Sequence, residues 1–307
     1  MNKRFNFAEK CFALCCKKNI PPWGTTKKTD LSREELIDLQ RNEWQHFWER
    51  MDVHIPNFKN KVVVDYGCGF GYDSLFAMQS GAKHVYCLEV SQTRLKGARE
   101  LHLLHGFDNA TYLDNTNVEE LPSKIDAGVD IIFSRDVMEH VPCPREVLDS
   151  MYRIAKPGGR IYIGFSPFYK SPYGPHFKNH CAIPWIHLIF SEQTILNVFK
   201  EKYGLDSSVN SYQEIEGSGV NKLSCYDYEK LLDGFDWRRE SELTNRFHNS
   251  PLISKTLNLL VKAIPLNKVR ELFVINSYIS LQKSPTAAEA RPTDSEEEVL
   301  MAGPVDA

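Results

Sequence analysis

The stretch VVVDYGCGFG at 62–71 constrains the fold of this chain more than any other. An apolar run, VVVDY, ends at glycines 67, 69 and 71. A short apolar run of this kind suits a strand buried on both faces, as in a parallel sheet. The glycines allow a tight turn and close approach of a ligand to the backbone. The unit then repeats. Residues 72–80 read as a helix, HVYCLEV (84–90) as a strand, 91–105 as a helix, and ATYL (110–113) and VDIIFS (129–134) as strands. Val147, Leu148, Met151 and Ile154 mark one face of a helix that stops before Lys156-Pro157-Gly158-Gly159, and RIYIGF (160–165) is a fifth strand. This alternation predicts an α/β fold: a doubly wound, mostly parallel sheet with helices on both faces. ESELTN (240–245) and ELFVINSYISLQ (271–282) offer two late strands that would bring the sheet to seven.

The flanks differ in character. Residues 1–56 form an N-terminal helical segment, with Ser32 and Glu35 as a capping box ahead of Leu36, Ile37, Trp44, Phe47, Trp48 and Met51 at helical spacing. The central domain spans 57–283. Within it, residues 166–225 break the strand–helix rhythm and read as a helical and loop insertion after strand five that covers the site. Residues 284–307, with Arg291 against six carboxylates, have the composition of a disordered acidic tail.

Net charge is -3, so no global basic field points to nucleic acid, although residues 1–28 carry seven Lys/Arg against Glu9. No run approaches the ~18 apolar residues of a membrane-spanning helix, and FALCC is too short for a signal-peptide core. The expected location is the cytoplasm. The eight cysteines include no CxxC pair. Cys11, Cys15 and Cys16 read as buried thiols of an amphipathic helix, with a metal or lipid site as the alternative.

A dinucleotide fingerprint needs a glycine at 72, where this chain has Tyr72, and no Gly-Lys-Ser/Thr follows to make a phosphate-binding loop. Asp65, at the end of the first strand, would repel a pyrophosphate and suits a cationic ligand. Glu89, ending the second strand 20 residues after Gly69, is placed to accept from ribose hydroxyls. A nucleoside with a cationic, phosphate-free chain satisfies both acids, and S-adenosylmethionine has this character.

At this point the chain resembles the class I S-adenosylmethionine-dependent methyltransferases, most closely over residues 60–166. VVVDYGCGFG resembles the first motif of that family and CLEVS the second. NVEELP (117–122) is similar to the adenine-lining stretch, DIIFSRDVMEHV to strand four and its exit, and IAKPGGRIYI to the turn into strand five. The resemblance implies that Asp65, Gly67 and Gly69 hold the methionine end of the cofactor. Glu89 would bind ribose, Asn117 and Val118 would flank adenine, and Arg135 would lie near the methionine moiety. Asn117 stands where many members carry Asp or Glu.

Past strand four, Asp136, Glu139 and His140 have i, i+3, i+4 spacing and would share one face if the segment were helical. Their stretch is similar to the E-x-x-E-H of the ubiquinone-pathway O-methyltransferases and the small-RNA 3′-end methyltransferases, where it holds a divalent metal. That likeness implies a site for Mg²⁺, Mn²⁺ or Zn²⁺ on Asp136, Glu139 and His140, with His176 or His180 adding a ligand. Without a metal, His140 is a general base or a hydrogen-bonded residue shaping the site. His187, in an apolar stretch, reads as a core histidine. The segment IPWIHLIFSEQTILNVF reads as a lid, an oligomer contact or a membrane-surface helix. As a lid, it would let Tyr169, Tyr173, His180 and Trp185 line an acceptor pocket.

The expected activity is methyl transfer to a small-molecule hydroxyl, on a sugar, a phenol or a polyketide-like metabolite. The alternatives are N- or C-methylation of a metabolite, methylation of RNA or protein, and an idle cofactor-binding protein. Nucleic acid is the less expected partner, since no added RNA-binding domain or basic face is readable.

Overall fold

The computed structural model describes residues 5–18, 20, 32–125, 128–215 and 219–284. The acidic stretch 285–307 and most of the basic stretch between the first two helices lie outside the described residues.

Seven strands form one sheet: β1 Val62–Tyr66, β2 His84–Leu88, β3 Ala110–Leu113, β4 Val129–Arg135, β5 Ala155–Phe165, β6 Trp237–Thr244 and β7 Ser277–Lys283. Their spatial order is β3-β2-β1-β4-β5-β7-β6. The first five are parallel, and β7 runs antiparallel to both β5 and β6. Because β1 has β2 on one side and β4 on the other, strand order reverses at its carboxyl end, where open α/β sheets bind ligands.

The helices are α1 Phe7–Cys15, α2 Arg33–Met51, α3 Tyr72–Gln79, α4 Gln92–Leu104, α5 Leu121–Lys124, α6 Pro144–Ile154, α7 Ile186–Ile189, α8 Glu192–Tyr203, α9 Cys225–Leu232, α10 Pro251–Ala263 and α11 Asn267–Arg270. Alternation along the strands sorts the core into two layers. Val63, Val85, Ile131, Phe133 and Tyr162 face an aromatic layer with Trp44, Phe47 and Trp48 of α2 and Phe76 of α3. Val64, Tyr86, Ile132, Ile161 and Ile163 face the other way, toward Val147, Leu148 and Met151 of α6 and Tyr228 and Leu232 of α9. The predicted capping box is present, with Ser32 and Glu35 exchanging hydrogen bonds across the first turn of α2.

A third cluster belongs to the insertion. Ile195, Val198, Phe199 and Tyr203 of α8 pack with Phe177, Tyr212, and Phe12 and Cys16 from the α1 region. Glu9 is buried because it caps α1 through the Asn6 amide and accepts from Asn197 of α8 at 2.7 Å. The Cys16 thiol, just past the end of α1, is buried and pushed up to about 11, whereas Cys11 and Cys15 within the helix are only half-buried.

Five element readings need correction, the first being strand five, which starts at Ala155 rather than at 160 and takes in the Lys156–Gly159 stretch. The segment 183–199 is two helices, not one, because the Ser191 hydroxyl accepts from the Thr194 amide and starts α8 afresh. The sixth strand starts at Trp237, and the seventh at Ser277 rather than at 271. Asn245 and Asn276 account for the late start of β7. Asn245 accepts from the Ile275 amide and donates to the Phe273 carbonyl, while Asn276 brackets Arg246 in the same way, so side chains replace the strand ladder there. Asp136–His140 is not helical: Asp136 has φ 53°, and a turn follows.

Candidate active site at the carboxyl edge of the sheet

The loop after β1 lines a cavity of about 210 Å³ with Asp65, Gly67, Cys68, Gly69, Phe70, Tyr72 and Asp73, closed by Arg135 from β4 and Gln40 from α2. Four predicted cofactor residues, Asp65, Gly67, Gly69 and Arg135, therefore meet in one place. The glycines differ in job. A Cβ on Gly69 would meet nothing within 4 Å, so this position keeps the backbone open to a ligand. Gly71 has φ +81°, and a Cβ there would lie 2.7 Å from both Ala98 Cβ and His102 Nε2. Gly71 serves packing of the loop onto α4. His102, fully buried, fixes that contact by linking Tyr112 Oη and the Gly71 carbonyl, each at 2.7 Å.

Asp65 is 3% exposed and its Oδ2 has no hydrogen-bond partner among the described residues. Burial, then the neighbouring Asp73, push its carboxyl up to about 8. A buried carboxyl with an orphan oxygen facing a cavity fits a cationic donor from a ligand. Arg135 is not free to bind a ligand carboxylate outright. It grips Asp73 in a bidentate pair at 2.7 and 3.0 Å and reaches Gln40 at 3.3 Å. Glu89 accepts from the Gly69 amide at 3.1 Å and the Ser91 amide at 3.0 Å, so it braces the glycine loop while keeping lone pairs for a ribose. Asn117 and Val118 lie outside this cavity: Asn117 donates to Glu120 at 2.8 Å, and Val118 packs on the core. Gln40, Tyr72 and Asp73 were missed from sequence. Asp73 carried the one signal that could have found it, an acid in the first turn of the helix after the glycines.

The turn past β4 sits against this loop. A Cβ on Gly67 would come within 2.3 Å of Val137 Cγ2. Residues 219–223 of the insertion strap the turn down. The Asn221 amide donates to the Glu139 carbonyl at 2.8 Å, and its side chain donates to the Met138 and Val141 carbonyls. His140 Nδ1 pairs with the Gly219 carbonyl at 2.5 Å. A carbonyl only accepts, so Nδ1 carries the proton and Nε2 presents a lone pair. Nε2 lies 4.0 Å from Glu139 Oε1, and the ring stacks on His176 with centroids 5.2 Å apart.

Glu139 is 1% exposed, and among the described residues neither carboxylate oxygen has a hydrogen-bond partner of good geometry. Burial first, then Asp136, hold it well above the usual carboxylate range. His176 is exposed, but desolvation on its protein-facing side, then the adjacent His140, push it down to about 4. Glu139, His140 and His176 each offer an atom within 4.8 Å of the others. Asp136, with a left-handed backbone at φ 53°, is not one of this group, and the charges of Arg135 and Arg50 act on its carboxyl. The helical-face argument for Asp136 fails with the helix.

Three of the four candidate acceptor residues are held within the insertion, and Trp185 is held by the segment ahead of β7. Tyr173 Oη donates to the Ala182 carbonyl, and Trp185 Nε1 donates to the Leu272 carbonyl with its ring against Phe273. The His180 ring lies between Phe199 and Tyr203, in the third cluster rather than beside His140. Tyr169 packs against His187 and Tyr212. His187 is 5% exposed and bonds the Tyr169 carbonyl at 2.7 Å, as a core histidine does.

Comparisons place this geometry among known proteins. Residues 57–200 match the model of a family described as a methyltransferase domain. A tRNA U34 carboxymethyltransferase of Shewanella loihica is 33% identical over 128 residues, 41% of this chain and 38% of that protein. "Probable protein arginine N-methyltransferase 6" of Arabidopsis thaliana is 32% identical over 238 residues, 76% of this chain and 52% of that protein. The chain thus spans between about a third and a half of these relatives. A solved S-adenosylmethionine-dependent methyltransferase from Mesorhizobium loti aligns with TM-score 0.49 and 16% identity, covering 78% of this chain and 98% of that one. Residues 57–200 thus match a methyltransferase domain, carried on the sheet ordered β3-β2-β1-β4-β5-β7-β6.

Proposed function

We propose that the chain methylates the oxygen of a small-molecule hydroxyl, using S-adenosylmethionine, with His140 as the base. The observation that carries this is the His140 tautomer: the Gly219 carbonyl holds the Nδ1 proton and leaves Nε2 with its lone pair at the carboxyl edge. S-adenosylmethionine supplies, when bound, an electrophilic methyl on a sulfonium. Asp65 receives its ammonium group, and Gly69 lets its chain lie against the backbone. Glu89 accepts from the ribose. His140 Nε2 takes the hydroxyl proton as the oxygen–methyl bond forms and the sulfur–methyl bond breaks, leaving a neutral thioether. The strap from 219 to 223 keeps the imidazole in register, which is where positioned bases gain their rate.

The test incubates the protein with methyl-labelled S-adenosylmethionine and separate pools of metabolites, RNA and protein. Label in an alkali-stable metabolite ether supports the reading, with His140→Ala lowering turnover by roughly 10² or more while cofactor affinity holds. The relatives named for tRNA and arginine make RNA and protein the competing acceptors, and label in either pool overturns the small-molecule reading.

The orphan oxygens of Glu139 favour a second reading. Glu139, His140 and His176 fit a divalent cation, which would lower the pKa of a coordinated acceptor hydroxyl. Thermal unfolding with Mg²⁺, Mn²⁺ or Zn²⁺ tests it. A stabilising shift lost in Glu139→Gln supports a metal, and equal shifts in both proteins refute it.

A further inference from the structure

Helix α10 is amphipathic the wrong way round for a surface helix. None of its residues is buried. At about 100° per residue, Leu252, Ile253, Thr256, Leu259, Leu260 and Ala263 share one stripe. That stripe faces outward: Leu252 is 78% exposed and Leu259 60%. The opposite stripe, Ser254, Leu257, Asn258 and Val261, is the half-buried one. Its polar members tie α10 to the protein, as Asn258 Nδ2 donates to the Thr244 carbonyl at 3.0 Å and Ser254 Oγ accepts from the Phe247 amide. The apolar surface continues past Pro265 to Leu266, 65% exposed, and Val269.

Charge says what covers it. From Arg246 to Arg270 the sequence holds Arg246, Lys255, Lys262, Lys268 and Arg270 and no Asp or Glu, in a chain of net charge -3. Lys255 and Lys262 fall along one edge of the apolar stripe. At the amino end of α10 is a cavity of about 400 Å³ lined by Arg50, Arg246, His248 and Lys255. Its one acid, Glu49, is engaged by His248 at 2.9 Å. An aliphatic stripe edged by lysines, beside a cationic pocket, is complementary to lipid chains under an anionic headgroup layer.

We propose that α10 and α11 dock this protein peripherally onto an anionic lipid bilayer, with the stripe in the acyl boundary and the pocket on a headgroup phosphate.

The experiment is co-sedimentation of the full chain with vesicles of phosphatidylcholine alone or mixed with phosphatidylserine, at about 0.1 M salt. Binding should require phosphatidylserine and fall sharply at about 1 M salt. Lys255→Gln/Lys262→Gln should weaken partitioning by roughly 30-fold, the loss of two cations near the surface. Leu259→Ser/Leu260→Ser should abolish it with an unchanged circular dichroism spectrum and melting temperature, because both side chains are exposed. Equal binding to neutral vesicles, or no binding to either, overturns the proposal. So does a concentration-dependent dimer that Leu259→Ser/Leu260→Ser dissolves, since a second copy would then cover the stripe.

Discussion

The glycine loop gives a prediction that separates its two tasks. Gly71 and Gly69 both have positive φ, +81° and +54°, so alanine at either costs about 1–2 kcal/mol in backbone strain. At Gly71 the new Cβ also meets Ala98 Cβ and His102 Nε2 at 2.7 Å, inside van der Waals contact. Neither neighbour moves easily, since Ala98 is on a helix backbone and His102 is pinned at both ring nitrogens. Overpacking of this kind adds about 1–3 kcal/mol. Gly71→Ala should therefore lose about 2–5 kcal/mol in equilibrium urea unfolding, and Gly69→Ala about 1–2. Calorimetry with S-adenosylhomocysteine should show the reverse order. Gly69→Ala puts a methyl where the ligand approaches and should weaken binding by at least tenfold, roughly 1.4 kcal/mol. Gly71→Ala should bind nearly normally at temperatures where it is folded. If Gly71→Ala loses affinity at wild-type stability, or Gly69→Ala binds normally, the division of labour is wrong.

Three further outcomes follow from buried charge. His187 is buried neutral, its imidazole pushed down to about 4 by burial, so its stabilising contribution is complete above its unfolded pKa of about 6.5 and is lost as pH falls toward 4. Urea unfolding should show about 2 kcal/mol lost by pH 5 that a His187→Gln variant does not lose further. Arg135→Met leaves Asp73 buried without its cation and should cost about 3–5 kcal/mol in urea unfolding, with Arg135→Met/Asp73→Asn recovering much of it. Asp65 must ionise to hold an ammonium group, so S-adenosylhomocysteine affinity should climb from pH 6 to about 8 and then flatten, and Asp65→Asn should bind weakly at every pH in calorimetry.

Much of the sheet was legible because its information is local. The apolar runs from Val62 to Phe165 are short, bounded by glycine or capping residues, and separated by helix-period stretches, so β1 to β5 fell near their predicted places. The glycines and Asp65 were legible for the same reason: a special backbone needs a special residue. What misled was spacing read without backbone. Asp136, Glu139 and His140 have helical spacing, yet the segment is a turn with a left-handed Asp136, and only Glu139 and His140 stay together. The run 271–276 has strand composition, but two asparagines take its hydrogen bonds. The apolar stripe of α10 has a helical period in the sequence, but that it faces outward rather than into the core is set by the tertiary structure.

The sequence by itself determined the strand–helix alternation, the capping of α1 and α2, the open glycine loop and the acids beside it. Each follows from interactions between residues a few positions apart. Only the tertiary structure decided the rest. It set which nitrogen of His140 is free, through a carbonyl 79 residues away. It set that Arg135 is spent on Asp73, 62 residues back. It left the Glu139 carboxyl without a hydrogen-bond partner among the described residues and placed His176, but not His180, beside His140. Those facts depend on which distant segments the fold brings into contact, and pairing across such distances leaves no periodic trace in the chain.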